Sequence, residues 1–267
     1  MSKPFYIIES KGEVVPIIIS IPHCGVEFPE DIKNTYLETQ LKTLDDTDWF
    51  LQDLYSFASD LGITIIHAKY HRWVIDLNRD IKSKPLYTDG RLITGLCPTT
   101  NFKGELIYKA AQEPTQAEIQ RRLKTYFWTY YNKVQELLDE RKRQFGEVLL
   151  WDAHSIRRNV PTIQKENFPD MILGDNDKKT ASDKLINVAL ESLKKGPYEV
   201  SHNYPFKGGH ITRYFGSKLT KINALQLEMN KILYMDDKEL KYNKKRAKNV
   251  QNVLKKMFEN LIESLRS

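Results

Sequence analysis

The stretch VLLWDAHSI, residues 148–156, places an aspartate, a histidine and a serine directly behind a run of apolar residues. The run 148–151 has the length and apolar character of a buried β-strand. Polar side chains at the end of such a strand must be hydrogen-bonded or take part in chemistry, because burying them unpaired is costly. His154 and its neighbours are therefore the first candidates for a functional site.

Apolar runs of strand length recur along the chain and alternate with segments of helical periodicity. The predicted strands cover 14–20, 63–67, 73–77, 148–151, 171–173 and 224–227, and the predicted helices 50–61, 114–145, 184–193 and 238–265. Strands that alternate with helices indicate an α/β fold in which helices cover both faces of a central sheet. No internal repeat or linker interrupts the pattern, so we expect a single domain over residues 1–267.

The composition is that of a folded protein, with 40% hydrophobic residues in a chain of 267 residues and 31.3 kDa. The longest apolar stretch, 14–21, is too short to span a membrane, and the N-terminus lacks the pattern of a signal peptide. We therefore expect a cytoplasmic protein with no membrane partner. Cys24 and Cys97 are too few for a disulfide framework, which favours reduced thiols.

The chain is mildly basic, with a net charge of 41 − 35 = +6. Much of this charge lies in the segment KYNKKRAKNVQNVLKKMF, residues 241–258, where lysines alternate with apolar positions at helical spacing. A solvated helix face is the favoured interpretation, and a nucleic-acid-binding protein is the distant alternative. The aromatic residues Tyr126, Phe127, Tyr130 and Tyr131 similarly favour a buried helix stripe over a stacking platform for bases.

Residues of reactive types lie at the carboxyl ends of the predicted strands, which is where α/β sheets bind ligands. They are His23, Asn78, Arg79, Asp80 and His154, together with Glu228 in the last strand and the acidic cluster 45–48. A single histidine of this kind is usually structural, but two imidazoles and a carboxylate make a zinc site with an open position for water. Glu228 is then the candidate acid/base, and a buried ion pair with lysine or arginine is its alternative role.

Two arginines have the planar fork that suits a substrate carboxylate. Arg79 follows a predicted strand directly, and Arg213 lies in KGGHITRYFG, residues 207–216. The glycines of that segment would let the backbone approach a ligand closely. An ordinary ion pair is the alternative role of each arginine.

Eight segments in the same order resemble the N-formylglutamate amidohydrolase family of zinc-dependent deformylases. They are SIPHCG (20–25), DTDWFLQDLY (46–55), VIDLNRD (74–80), LYTDG (86–90), WDAHSI (151–156), ILGD (172–175), YPFKGGHITRYFG (204–216) and ALQLEMNKILYMDD (224–237). The resemblance implies an α/β fold with a mixed central sheet flanked by helices. This fold is similar to that of zinc carboxypeptidases and is of the phosphorylase/hydrolase-like type. It also implies hydrolysis of the small molecule N-formyl-L-glutamate to formate and L-glutamate, as the last step of a histidine degradation route.

The resemblance also implies roles for particular residues. The metal ligands would be His23, His154 and a carboxylate from DTDW, and Glu228 would be the acid/base. Asp48 is favoured as the carboxylate because it is expected to begin a helix, while Asp46 stays open. The resemblance implies one zinc ion per chain, and a site of this composition also accepts manganese, cobalt or iron. Asn78 and Arg79 would hold one substrate carboxylate, and Arg213 the other.

Two residues depart from the family pattern, and two more are assigned supporting roles. Cys24 stands where a small residue is expected and is interpreted as space-filling, and His210 stands where tyrosine is more common. Asp152 lies on the same side of the strand as His154 and is expected to orient a neighbouring ligand. Ser155 is expected to cap local backbone, since no Gly-x-Ser-x-Gly motif surrounds it. A zinc hydrolase of another N-acyl amino acid or of short peptides is the alternative within enzymes.

Overall fold

The structure is a computed structural model that describes residues 3–82 and 94–266. The motif LYTDG at 86–90 lies outside these ranges. Within them the strands are β1 (Phe5–Ile8), β2 (Ile17–Ile21), β3 (Thr64–Ala68), β4 (Val148–Ile156), β5 (Met171–Gly174), β6 (Val200–His202) and β7 (Ile222–Asn230).

These strands form one seven-stranded sheet in the order β1-β3-β2-β4-β7-β5-β6. The four central strands, β3, β2, β4 and β7, run parallel to one another. Strand β1 is antiparallel to β3, and β5 is antiparallel to β7. The prediction of an α/β fold with a mixed central sheet is therefore confirmed.

The helices of the described ranges flank this sheet. They are α1 (Glu30–Lys33), α2 (Glu38–Leu41), α3 (Leu51–Tyr55), α4 (Gln116–Arg122), α5 (Trp128–Phe145), α6 (Asp183–Lys194), α7 (His210–Phe215) and α8 (Lys244–Arg266). Short 3₁₀ segments occur at Ser56–Leu61, Lys218–Thr220 and Lys231–Leu233. None of the helices in this part of the chain is both long and apolar enough for a membrane span.

Helix α8 packs on one face of the sheet because its apolar residues recur at helical spacing. Ala247, Val250, Leu254, Met257 and Leu261 are all buried in the core cluster that includes the sheet residues Trp151 and Leu227. The lysines between them are exposed, which confirms the interpretation as a solvated helix face.

The other face is covered by one long helical stretch from α4 to α5, joined by a π-helical turn at Leu123–Phe127. The Thr115 hydroxyl caps its start by accepting a hydrogen bond from the backbone N–H of Glu118, and Gly146, at φ 82°, ends it. The aromatic residues Tyr126, Phe127, Tyr130 and Tyr131 are buried in the core on this face. Their predicted role as a core stripe is confirmed.

The predicted strand over 73–77 is wrong, because this buried segment follows a course of turns and irregular backbone. Side chains from distant parts of the chain bind its carbonyl oxygens: Tyr36 donates to Trp73 at 3.2 Å, Arg122 to Val74 at 3.0 Å, and Tyr131 to Leu77 at 2.7 Å. These side chains supply the hydrogen-bond donors that the backbone N–H groups of a neighbouring strand would otherwise supply.

Two boundaries of predicted elements also differ, and two strands were not predicted. The last helix begins at Lys244 and not at 238, because Asp236 accepts backbone hydrogen bonds from Leu240 and Lys241 in a turn that precedes it. Strands β1 and β6 were not predicted; each pairs with another strand at an end of the sheet order. Strand β4 does not end at Trp151 but continues to Ile156.

Candidate functional site

The extension of β4 places Asp152 and His154 inside the sheet. Strand β4 pairs with β7 along nine residues, with His154 opposite Glu228 and Asp152 opposite Gln226. Residues paired on neighbouring strands point to the same face of a sheet, so these four side chains share one face. It is the face covered by α5.

His23 lies just beyond the end of β2, on the strand next to β4, and is buried. Its Nε2 lies 2.8 Å from Asp76 Oδ1, and its Nδ1 lies 3.2 Å from Arg72 Nη1. Because a carboxylate only accepts, Nε2 carries the hydrogen, and the Nδ1 lone pair faces the centre of the site.

His154 has a similar arrangement of partners. Its Nε2 lies 3.0 Å from Asp152 Oδ1, as expected for a carboxylate that orients a ligand. Its Nδ1 lies 3.4 Å from Asp48 Oδ2. The other oxygen of Asp152 accepts a hydrogen bond of 2.9 Å from the hydroxyl of Thr212 in α7.

The structure separates the two candidate carboxylates of DTDW. Asp48 Oδ2 lies 3.9 Å from His23 Nδ1 and also accepts a hydrogen bond from the Ser155 backbone. Asp46 instead accepts hydrogen bonds from the Trp73 indole and from the Phe102 backbone. The reason given for favouring Asp48 is wrong, however, because helix α3 begins only at Leu51.

The donor atoms of His23, Asp48 and His154 fit a zinc ion. One atom of each lies within 4.8 Å of the other two, and all three side chains are buried. Ligands of a tetrahedral zinc ion lie about 3.3 Å apart, given bond lengths of about 2.0–2.1 Å. Each histidine also has a carboxylate on the nitrogen that faces away from this centre, as zinc-bound histidines usually do.

The electrostatics of the cluster are suited to a bound cation. Burial and the Arg72 charge lower the pKa of His23 to about 4, so this imidazole is neutral. Burial alone would lower the pKa of His154, but Asp152 and Asp48 outweigh it and hold that pKa well above its usual value. The same two carboxylates would equally favour a metal ion bound to this imidazole.

Glu228 lies directly opposite His154 in the sheet, since the two residues are paired across β4 and β7. Burial raises its pKa to about 8, against an opposing effect from His154. In the described ranges 3–82 and 94–266 no lysine or arginine forms an ion pair with it, so its alternative role in a buried ion pair finds no support there.

Asn78 is held between the zinc-ligand candidates and α7. Its Nδ2 lies 3.1 Å from His154 Nε2, and its Oδ1 accepts a hydrogen bond from the Ile211 backbone at 2.8 Å. A Cβ atom on Gly209 would lie 2.1 Å from Asn78 Nδ2, so only glycine allows this approach. The glycine of this segment thus packs against the proposed clamp residue.

The two arginines assigned to substrate binding lie at different places. Arg79 donates to Thr94 at 3.1 Å and lies 3.4 Å from Asp76, which joins it to the network around His23. Arg213 lies in α7 and donates to the Gly208 carbonyl at 2.8 Å. His210, three residues before Arg213 in the same helix, is half-buried, and its ring lies 6.0 Å from that of Tyr131.

Cys24 and Ser155 point away from the cluster of donor atoms. The Cys24 thiol is buried near Ile21 O and His67 Nδ1, and burial raises its pKa. The Ser155 hydroxyl accepts a hydrogen bond from Tyr234 at 2.8 Å. The partner shown for this hydroxyl is thus a tyrosine from after β7, and its role in capping local backbone stays a prediction.

Sequence reasoning missed Arg72 and Asp76, which hold the network around His23 together. Arg72 Nη2 lies 2.6 Å from Asp76 Oδ2, and both residues are buried. The charge and hydrogen bonds of Arg72 and His23 hold the pKa of Asp76 well below its usual value, although burial opposes this. The signal was an aspartate within the apolar run of VIDLNRD, which the strand prediction concealed.

Comparison with known proteins gives consistent matches along nearly the whole chain. Residues 15–235 match the profile of a family described as N-formylglutamate amidohydrolase. N-formylglutamate deformylase from Pseudomonas putida is 38% identical over 251 residues, covering 93% of this chain and 92% of the relative. The protein of that name from Pseudomonas aeruginosa is 37% identical over 251 residues, covering 93% of each.

A solved structure with the same family name is also similar to this chain. The crystal structure of N-formylglutamate amidohydrolase from Ralstonia eutropha JMP134 is similar at a TM-score of 0.80. The two chains are 26% identical, and the match covers 97% of each. Sequence and structure comparisons therefore point to the same group of proteins.

Proposed function

The chain belongs to the N-formylglutamate amidohydrolase family, and from this premise we propose that it hydrolyses N-formyl-L-glutamate to formate and L-glutamate. The observation that supports this most directly is the buried group of His23, Asp48 and His154 beside Glu228. We further propose that these three residues bind one divalent metal ion, with zinc as the expected metal. Its place in histidine degradation stays a prediction from the sequence resemblance.

A zinc ion bound there would polarise the amide carbonyl and lower the pKa of a water molecule in its open position. Glu228 accepts the proton of the attacking water and passes it to the amide nitrogen as the C–N bond breaks. None of the residues that the structure describes forms an ion pair with it, which supports this role, because a carboxylate tied to a fixed cation would be a weak base.

Arg72 supports the same reaction from the side of His23 that faces the centre of the site. Its guanidinium lies 3.2 Å from His23 Nδ1 and is buried, so its charge acts close to the reacting carbonyl. In this proposal it stabilises the negative charge that develops on the carbonyl oxygen. The two carboxylates of the glutamate part bind Asn78, Arg79 and Arg213, whose N–H groups can donate hydrogen bonds to carboxylate oxygens.

The proposal is tested by formate release from N-formyl-L-glutamate, together with the metal content of the purified protein. We expect about one metal ion per chain, chelator-sensitive deformylation, and loss of both in His154→Ala. Lys255→Ala, an exposed change on α8, is the control for handling and folding. A metal-loaded protein that releases no formate would contradict the proposed substrate, and deformylation by a metal-free protein would contradict the proposed metal.

A further inference from the structure

A cavity of about 290 Å³ opens beside Asp48, one of the three proposed metal ligands. Asp48 forms part of its wall, together with Ser155, the residue after His154. One water molecule occupies about 30 Å³ of liquid, so the cavity holds far more than the hydrogen atom that a formyl group carries on its carbonyl carbon. Its volume is close to the lower end for small-molecule sites, about 300 Å³.

The cavity borders Asp48, which lies at one ring nitrogen of His154, whereas the proposed clamp residue Asn78 lies at the other. The two ring nitrogens of His154 face in different directions, Nδ1 towards Asp48 and Nε2 towards Asn78. Asp48 lines the cavity, whereas none of the described clamp residues Asn78, Arg79 and Arg213 does. A substrate whose amide lies at the cluster, with its carboxylates on the clamp, therefore points its acyl group into the cavity.

The walls of the cavity suit a short hydrocarbon chain. Phe102, Ile156, Val160 and Pro161 contribute apolar surface. Phe102 also connects the cavity with the reaction centre, since its ring lies 4.7 Å from the guanidinium carbon of Arg72.

Two of the three cations that line the cavity form ion pairs, and the third binds a backbone carbonyl. Lys103 and Arg157 both pair with Asp45, and Arg157 also pairs with Glu239 at 2.8 Å. Lys231 donates to the Thr47 carbonyl at 2.7 Å. The lining has three cations and three aspartates, so its formal charges cancel and it favours an uncharged occupant.

We propose that this cavity is the acyl-side subsite, and that the chain hydrolyses N-acyl-L-glutamates with short, neutral acyl groups larger than formyl. The proposal rests on the proposed function, because it uses the same metal ligands and the same orientation of the glutamate part. Hydrolysis proceeds as for the formyl compound: water adds its oxygen to the acyl carbon, the C–N bond breaks, and a carboxylic acid and L-glutamate are released.

The test compares N-formyl-, N-acetyl- and N-butyryl-L-glutamate on the metal-loaded protein, with Val160→Phe as the cavity-filling variant. We expect hydrolysis of all three compounds by the original protein. The variant should lower kcat/KM for the butyryl compound by about tenfold or more, and change that for the formyl compound by less than about twofold. Asn159→Trp, an exposed residue of the same lining, is the second variant if Val160→Phe does not fold.

The outcomes separate this proposal from the proposed function. Hydrolysis of the formyl compound alone, with the others neither cleaved nor competing, would overturn the acyl subsite and leave the deformylase activity intact. Competition without cleavage would overturn the wider substrate class. Equal losses for all three compounds in both variants would also overturn the assignment of the cavity, whereas failure to cleave even the formyl compound contradicts the proposed function itself.

Discussion

Glu228 differs from Asp76 and Asp152 because, among the described residues, no cationic side chain lies within ion-pair distance of it, although the charges of His154, Arg72 and Lys231 act on it from further away. Asp76 has Arg72, and Asp152 has His154 and Thr212. We predict that Glu228→Gln lowers kcat for deformylation by about 10²–10⁴-fold, because the amide keeps the shape but cannot take a proton. Steady-state formate release measures this change.

The same variant should keep its metal ion and its fold, since Glu228 is not one of the proposed ligands. Metal analysis and circular dichroism check both points. Glu191→Gln, on the far helix α6, is the matched control and should keep full activity. A Glu228→Gln protein with normal kcat would refute the acid/base role.

Asp76 is predicted to make stability depend on pH. The pKa of its carboxylate is held well below the ordinary value by Arg72 and His23 despite burial, so the ionised form stabilises the folded state. This stabilisation is complete above the unfolded-state pKa of about 3.9 and is lost as the pH falls through the lower folded-state pKa. Asp76→Asn should cost about 3–5 kcal/mol of unfolding free energy at pH 7.

Urea unfolding of metal-free protein at pH 7 and at acidic pH measures this difference. The gap between the original protein and Asp76→Asn should narrow as the pH falls below about 4. Asp60→Asn removes an exposed ion pair with Lys11 and should change stability little. Equal unfolding free energies for the two variants at pH 7 would show that the Arg72 network does not stabilise the fold.

The residue types of the site were largely visible in the sequence, but their network was not. His23, His154 and Glu228 stand out because they interrupt or follow apolar runs. The choice of Asp48 over Asp46 depended on the backbone between them, which turns one side chain to the histidines and the other to Trp73. The directions of two side chains in an irregular loop cannot be predicted from the sequence, because a loop has no regular spacing of apolar residues.

At the level of elements, α7 and the residues before it connect the two parts of the site. The Gly209 backbone donates to Gln226, the Ile211 backbone to Asn78, and the Thr212 hydroxyl to Asp152. One short segment thus holds both Asn78, the proposed clamp residue, and, through Asp152, the ring of His154. We regard Thr212 as a positioning residue.

We predict that Thr212→Val weakens zinc binding by roughly 10–100-fold, the usual cost of removing a partner behind a metal ligand. Thr212→Ser keeps the hydroxyl and should restore binding, which a purely structural role of the methyl group would not explain. Competition with a chromophoric chelator measures the affinity. Unchanged affinity in Thr212→Val would mean that Asp152 is held in place without this hydrogen bond.

Elements with regular backbone partners were predictable, and those held by side chains were not. The buried strand β4 and the helix α5 follow from apolar runs and helical spacing. The segment 73–77 has an apolar run of the same kind, but tyrosine and arginine side chains from distant parts of the chain bind its carbonyls. The residues of the segment itself do not predict hydrogen-bond partners that lie so far away in the sequence.

For the whole molecule, alternation of strands and helices predicted an α/β sheet covered on both faces. The order of strands could not be read the same way, because β7 lies beside β4 although β5 and β6 come between them in the chain. This order brings Glu228 opposite His154. The pairing of the proposed acid/base with a proposed metal ligand therefore results from the topology, and the two residues are 74 positions apart (228 − 154).

The proposed metal ion ties together segments from both halves of the chain, so it should stabilise the folded state as a whole. A ligand that binds only the folded state contributes about 2.7 kcal/mol at 100 times its Kd. For a chain of this size that corresponds to a rise in Tm of roughly 5–10 °C. We predict this rise when zinc is added to chelator-treated protein, measured by thermal unfolding followed by circular dichroism.

Asp48 and Asp46 give this prediction a matched pair of variants two positions apart. Asp48→Asn should abolish the rise in Tm, because it removes an oxygen of the proposed site. Asp46→Asn should begin from a lower Tm, since it weakens the hydrogen bonds to Trp73 and Phe102, but should still gain stability from zinc. Equal gains in both variants would place the metal elsewhere, whereas loss of the gain only in Asp46→Asn would reverse the assignment of the carboxylate ligand.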